Sequence, residues 1–83
     1  MEHITNELFK LGYHLSYIDE ERYYFKSNKY TSCDYIVLIL DMKNKKYHKV
    51  RYFITASYAH TFDEVPMTKN ETQTIEELMK EEN

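Results

Sequence analysis

Four histidines, one cysteine and several adjacent carboxylates are the residues with chemistry to offer. His3, His14, His48 and His60, with Cys33 and Asp34, invite a metal site. No pair of them has the i, i+4 helical spacing or the CxxC spacing that brings ligands together, so neither a metal nor another cofactor is expected. Strand alternation groups His48 with Val50 and Tyr52, which predicts a partly buried, hydrogen-bonded ring. A nucleophile built from Cys33 and a histidine would need a strained turn or a glycine-rich oxyanion loop, and none surrounds it; it reads as a structural thiol at a strand start. The acid pairs Asp19 with Glu20, Glu76 with Glu77 and Glu81 with Glu82 read as solvated charge in turns and on an exposed helix. With no complete catalytic signature, the chain reads as a non-enzyme.

The strongest local signal is "KNKKYHKVRY", residues 43–52, which holds five basic side chains and two tyrosines in a chain of net charge −3. Seven acids face four bases before it and seven face two after it, so it is flanked by acidity on both sides. One reading is the wet surface of a hairpin, with lysine stems covering apolar atoms. A second is a sheet that binds single-stranded nucleic acid, tyrosines stacking on bases while cations hold phosphates. A third is protein recognition, with Tyr and Arg as anchors inside a polar rim and an acidic helix engaging a basic partner. The flanking acidity weighs against nucleic acid, because carboxylates within a Debye length of about 8 Å repel the same backbone.

Periodicity supplies the elements that would position these groups. Ile4, Leu8 and Leu11 recur at helical spacing over about residues 2–11, and Gly12 stands where a left-handed cap is wanted. "YHLSYID" and "RYYFKSN" follow as two strands around a tight acidic turn. "CDYIVLILD" is apolar on both faces, as a central strand should be. "YHKVRYFI" then alternates, Val50, Tyr52 and Ile54 on one face and Tyr47, Lys49, Arg51 and Phe53 on the other. Residues 56–65 carry no clear pattern. Thr68 and Glu71 have the spacing of a capping box ahead of a stripe of Ile75, Leu78 and Met79, and the closing "KEEN" is expected to fray.

The predicted fold is α+β: one domain over residues 1–83, ordered helix, four-stranded antiparallel meander, helix, with both helices on one sheet face. Eighty-three residues give one small core and a net stability of about 4–12 kcal/mol. A single cysteine allows no internal disulfide, and neither a signal peptide nor a span of roughly 20 apolar residues is present, so an unexported, cytoplasmic protein without membrane contact is expected. "NET" at Asn70 is then a chance match to a glycosylation pattern.

"ELFKLGYHLSYIDEERYYFKS", the aromatic hairpin with "YHKVRYFI" and the closing "PMTKNETQTIEELMKE" resemble the small, acidic, tyrosine-rich proteins of phages and prophages of low-GC Gram-positive bacteria. The resemblance spans most of the chain and implies a setting in the host cytoplasm rather than an activity. Proteins of that kind bind a host or phage protein and block or redirect it, inhibitors of defence nucleases included. The expected binding surface combines the open sheet face, Tyr47, Lys49, Arg51 and Phe53, with the acidic helix, Glu71, Glu76 and Glu77. The alternative is weak single-strand nucleic-acid binding by the hairpin 43–54, and an uncovered aromatic face or open edge also allows a homodimer.

Overall fold

The protein is described by a computed structural model covering residues 2–31 and 33–81. Its elements run α1 (Glu2–Lys10), β1 (Tyr13–Asp19), β2 (Arg22–Ser27), β3 (Asp34–Asp41), β4 (Lys46–Ile54), β5 (His60–Glu64) and α2 (Lys69–Glu81). Ser32, Glu82 and Asn83 lie outside the described residues, and with them the last part of the end expected to fray. The strands form one antiparallel sheet in the order β1-β2-β3-β4-β5, a pure meander. The α+β class holds; the sheet has five strands, not four, the additional one arising from residues 56–65.

Sequence dictates most of the local structure. α1 closes with Leu11 and Gly12 donating to the carbonyls of Leu8 and Phe9, and Gly12 takes φ +96°, a conformation that side chains resist. No heavy atom lies within 4 Å of where its Cβ would stand, so the backbone angle alone demands glycine. At α2 the capping box forms as its spacing predicts: Glu71 N–H donates to Thr68 Oγ1 at 3.1 Å while Thr68 N–H donates to Glu71 Oε1 at 2.9 Å. The β3–β4 turn is fixed by Asp41, whose carboxylate accepts both the backbone N–H and the side-chain amide of Asn44.

Ile4 and Leu8 of α1 and Ile75, Leu78 and Met79 of α2 pack with Tyr13, Phe25, Leu38 and Leu40 into one core, so both helices cover the same sheet face. Phe25, Leu38 and Leu40 are wholly buried there. The register puts Leu15, Phe25, Leu38 and Lys49 side by side, and Tyr23, Leu40 and Tyr47 in the next row. The covered face is therefore the one that carries Tyr47, Lys49, Arg51 and Phe53, the reverse of the expected assignment. The alternation along β4 is as expected, but the side that faces the helices is not.

The β4–β5 connection stores local strain. Tyr58 adopts φ +63° at the tip, held by its N–H to the Thr55 carbonyl at 2.9 Å, while its side chain is 85% exposed. A bulky residue in the left-handed region costs about 1–2 kcal/mol with no packing in return. Tyr58→Gly is expected to raise stability by about 1 kcal/mol, or about 4–8 °C in Tm for a domain of this size, read by thermal denaturation. An unchanged or lower Tm would show that the tip is not strained.

Candidate interaction face

Three of the five cations of the basic stretch, with Tyr47, are engaged by other groups of the chain. Along β4 and the turn before it, Lys45 Nζ donates to the Met79 carbonyl at 3.0 Å, Tyr47 hydroxyl to Glu76 at 2.7 Å and Lys49 Nζ to Glu71 at 2.9 Å. These contacts step down the strand as they step up the helix, so α2 crosses β4 with Glu71 at Lys49 and Glu76 at Tyr47. Lys45 also sets a positive charge at the C-terminal end of α2, where the helix dipole favours it. Arg51 grips Asp34 with two hydrogen bonds, 3.0 and 2.6 Å, and its guanidinium lies 4.8 Å from the Phe53 ring centroid. That grip holds the Asp34 carboxyl below its ordinary range.

Glu71 is the node of this arrangement. Only 7% exposed, it accepts from Tyr13 hydroxyl, Lys49 Nζ and its own cap, joining β1, β4 and α2. Burial would raise its pKa, but the hydrogen bonds from Thr68, Tyr13 and Lys49 outweigh burial and hold the carboxyl below its ordinary value. Burial first, and then the Glu71 carboxylate, push the Tyr13 hydroxyl up. Of the expected binding residues, Lys49 is therefore tied to the buried Glu71, and Tyr47 to Glu76 at the exposed side of α2. Arg51 and Phe53 share the helix-side face next to Asp34, and Glu77 is exposed on α2.

The opposite sheet face has no helix over it among the described residues. Its rows, read across the strands, are Tyr17, Tyr24, Ile39 and His48; then Lys26, Val37, Val50 and Glu64; then Tyr35, Tyr52 and Phe62. A β-bulge between Leu15 and Tyr17 turns Tyr17 onto this face beside Tyr24, ring centroids 5.6 Å apart. Tyr52 packs between Tyr35 at 4.7 Å and Phe62 at 5.1 Å, with its hydroxyl against His60 Nδ1. Tyr17, Tyr24, Tyr35, Phe62 and the aliphatic centre line a shallow trough of about 420 Å³. Tyr17 is 60% and Phe62 65% exposed, so large apolar groups face solvent here.

The titratable groups named at the outset are dispersed. His3 meets Glu81, His14 meets Asn28, and His48 meets Glu64 at 3.0 Å on the uncovered face. His48 is exposed rather than partly buried, because its face is the one without helices. Cys33 is exposed ahead of β3. Among the described residues no group of three His, Cys, Asp or Glu is placed to hold a metal ion, and no helix is long and apolar enough to cross a membrane.

No protein-family profile, curated protein or solved structure matches this chain. The physical surface carries the functional reading alone. The sequence groups Val50 and Tyr52 on one face correctly but places that face under the helices; Tyr52 is buried all the same, between Tyr35 and Phe62. Because Arg51 lies on the covered side, Arg51→Glu is expected to lower stability slightly by setting carboxylates against each other at Asp34 and Asp63, its neighbour on β5, and to leave partner capture unchanged. Loss of capture in that variant, with the fold intact by circular dichroism, would return the binding surface to the helix side.

Proposed function

We propose that this is a small non-enzymatic protein-binding module that presents the uncovered face of its sheet to another protein. In keeping with the resemblance to phage and prophage proteins, it acts in the host cytoplasm by binding and modulating or inhibiting a host protein, such as a defence nuclease. The observation that carries this reading is the aromatic and aliphatic trough of Tyr17, Tyr24, Tyr35, Val37, Val50 and Phe62, left bare by two helices that both pack elsewhere. Tyrosine offers large contact area for little lost side-chain entropy, and a desolvated apolar centre ringed by polar groups is the anatomy of a protein interface.

Single-stranded nucleic acid is the second reading, favoured by Lys26, whose ammonium sits 4.0 Å from the Tyr30 ring and 4.1 Å from that of Tyr35, as a phosphate-binding cation beside stacking rings would. It is second because three of the five cations of the basic stretch, Lys49, Arg51 and Lys45, are engaged by Glu71, Asp34 and the end of α2. Affinity capture from host lysate, with and without nuclease, separates the two. A stoichiometric protein that survives nuclease supports the module; material lost on nuclease treatment, with affinity falling steeply in salt, supports nucleic acid.

A further inference from the structure

We propose that the uncovered face is complementary to itself and closes on a second copy of this chain, about a two-fold axis running parallel to the strands along the β3–β4 seam. This rests on the reading of that face as a protein-docking surface and adds a second occupant, which competes with a host protein for it. The basis is the order of charges across the sheet. The central row runs Lys26, Val37, Val50, Glu64, positive at one side and negative at the other, with two valines between. The row at the turn end runs Asp19, Arg22, Asp41, Lys46, alternating in sign.

A two-fold axis in the interface exchanges left and right across the sheet. On the β3–β4 seam it sets Lys26 of each copy against Glu64 of the other, Val37 against Val50, Tyr35 against Tyr52 and Asp41 against Lys46. In the central row opposite charges meet at the flanks and valines meet at the seam; elsewhere along the seam Asp41 meets Lys46, Tyr35 meets Tyr52 and Ile39 meets His48. An axis on β3 would put Asp41 against Asp41. An axis on the β2–β3 seam would satisfy the turn-end row but leave Lys26 against Val37, a cation facing an apolar group. The central row therefore selects one arrangement. Among the described residues Lys26 has no carboxylate partner, its ammonium lying over the Tyr30 and Tyr35 rings, and Glu64 pairs with His48, so both can turn to the second copy. The roughly 30° angle usual between stacked sheets displaces groups near the flanks by a few ångströms, which Lys and Glu side chains can span.

Size sets the strength. Four strands about 4.8 Å apart, of 6, 8, 9 and 5 residues at about 3.4 Å each, cover roughly 450 Å² per copy. The total of roughly 900 Å² lies below the standard size of specific interfaces and corresponds to a weak, reversible dimer.

Sedimentation equilibrium over rising concentration tests it with wild type, Lys26→Glu, Glu64→Lys and the double exchange, each checked for an unchanged circular dichroism spectrum. Wild type should dimerise in the micromolar range. Each single change, counted twice by symmetry, should raise the dissociation constant about tenfold or more, and the double exchange should return it to within about threefold of wild type. A wild type that stays monomeric into the millimolar range overturns the proposal. So does a dimer that the single changes leave alone, as pairing through an edge strand would give, or a double exchange as weak as its parents. A monomer that still captures a protein through Tyr17 and Phe62 overturns self-pairing only; loss of that capture as well overturns the broader reading of the face.

Discussion

Glu71→Ala is expected to remove about 3–5 kcal/mol of stability, because it strands the Lys49 ammonium and the Tyr13 hydroxyl in the interior and breaks the α2 cap in one step. Against a total of about 4–12 kcal/mol that is enough to leave the chain marginal. Denaturant unfolding measures it; a loss below about 1 kcal/mol would show that water replaces the carboxylate without penalty. The same group sets an acid limit. Its folded-state pKa lies below the ordinary value of 4.5, so the stability it contributes is present above that value and is lost as pH falls through the folded-state pKa. Glu71→Gln, which cannot titrate, should lower stability at neutral pH and flatten the acid limb of the pH profile. Lys49→Met combined with Glu71→Gln should recover part of the loss, since the exposed cost is an unpaired buried charge rather than the missing attraction.

The second large effect is on binding. Tyr17→Ser combined with Phe62→Ser should abolish capture of a protein partner while leaving the fold in place, because both rings are mostly exposed and neither belongs to the core. Truncating two aromatic anchors at about 2 kcal/mol or more each removes most of the affinity available to an interface of this size. Capture at the wild-type level would move the binding surface elsewhere. Tyr58, more exposed than either, stands on the β4–β5 tip and is the internal control: its replacement should change stability and not capture.

Much of this fold was legible in the residues. The 3.6-residue spacing of Ile4, Leu8 and Leu11 with Gly12 behind them marks α1 within one residue of its end, and the Thr68 and Glu71 pair marks the start of α2. Two things were hidden. β5 is not legible because "HTFDE" has one large apolar side chain, and because Tyr58 occupies the left-handed position that sequence usually signals with glycine or asparagine. The covered face of β4 was inverted because Lys49 and Arg51 make their side look wet, while β3, apolar on both faces, offers no vote. What settles it is pairing at long range: Lys49 with Glu71, 22 residues away, and Lys45 with Met79, 34 away. Local alternation separates the two faces of a strand, but only the charges that another element brings decide which face can be buried.

The most direct measurement places a photo-crosslinking amino acid at Phe62 on the uncovered face and, in a second variant, at Arg51 on the helix side, followed by irradiation in the cells that produce the protein and analysis of the adducts. Protein adducts from position 62, whether to a second copy or to another protein, and none from position 51, are the predicted result. Protein adducts from position 51 alone, or nucleic acid as the only product at position 62, would contradict the assignment of the bare aromatic sheet face as a protein-binding surface.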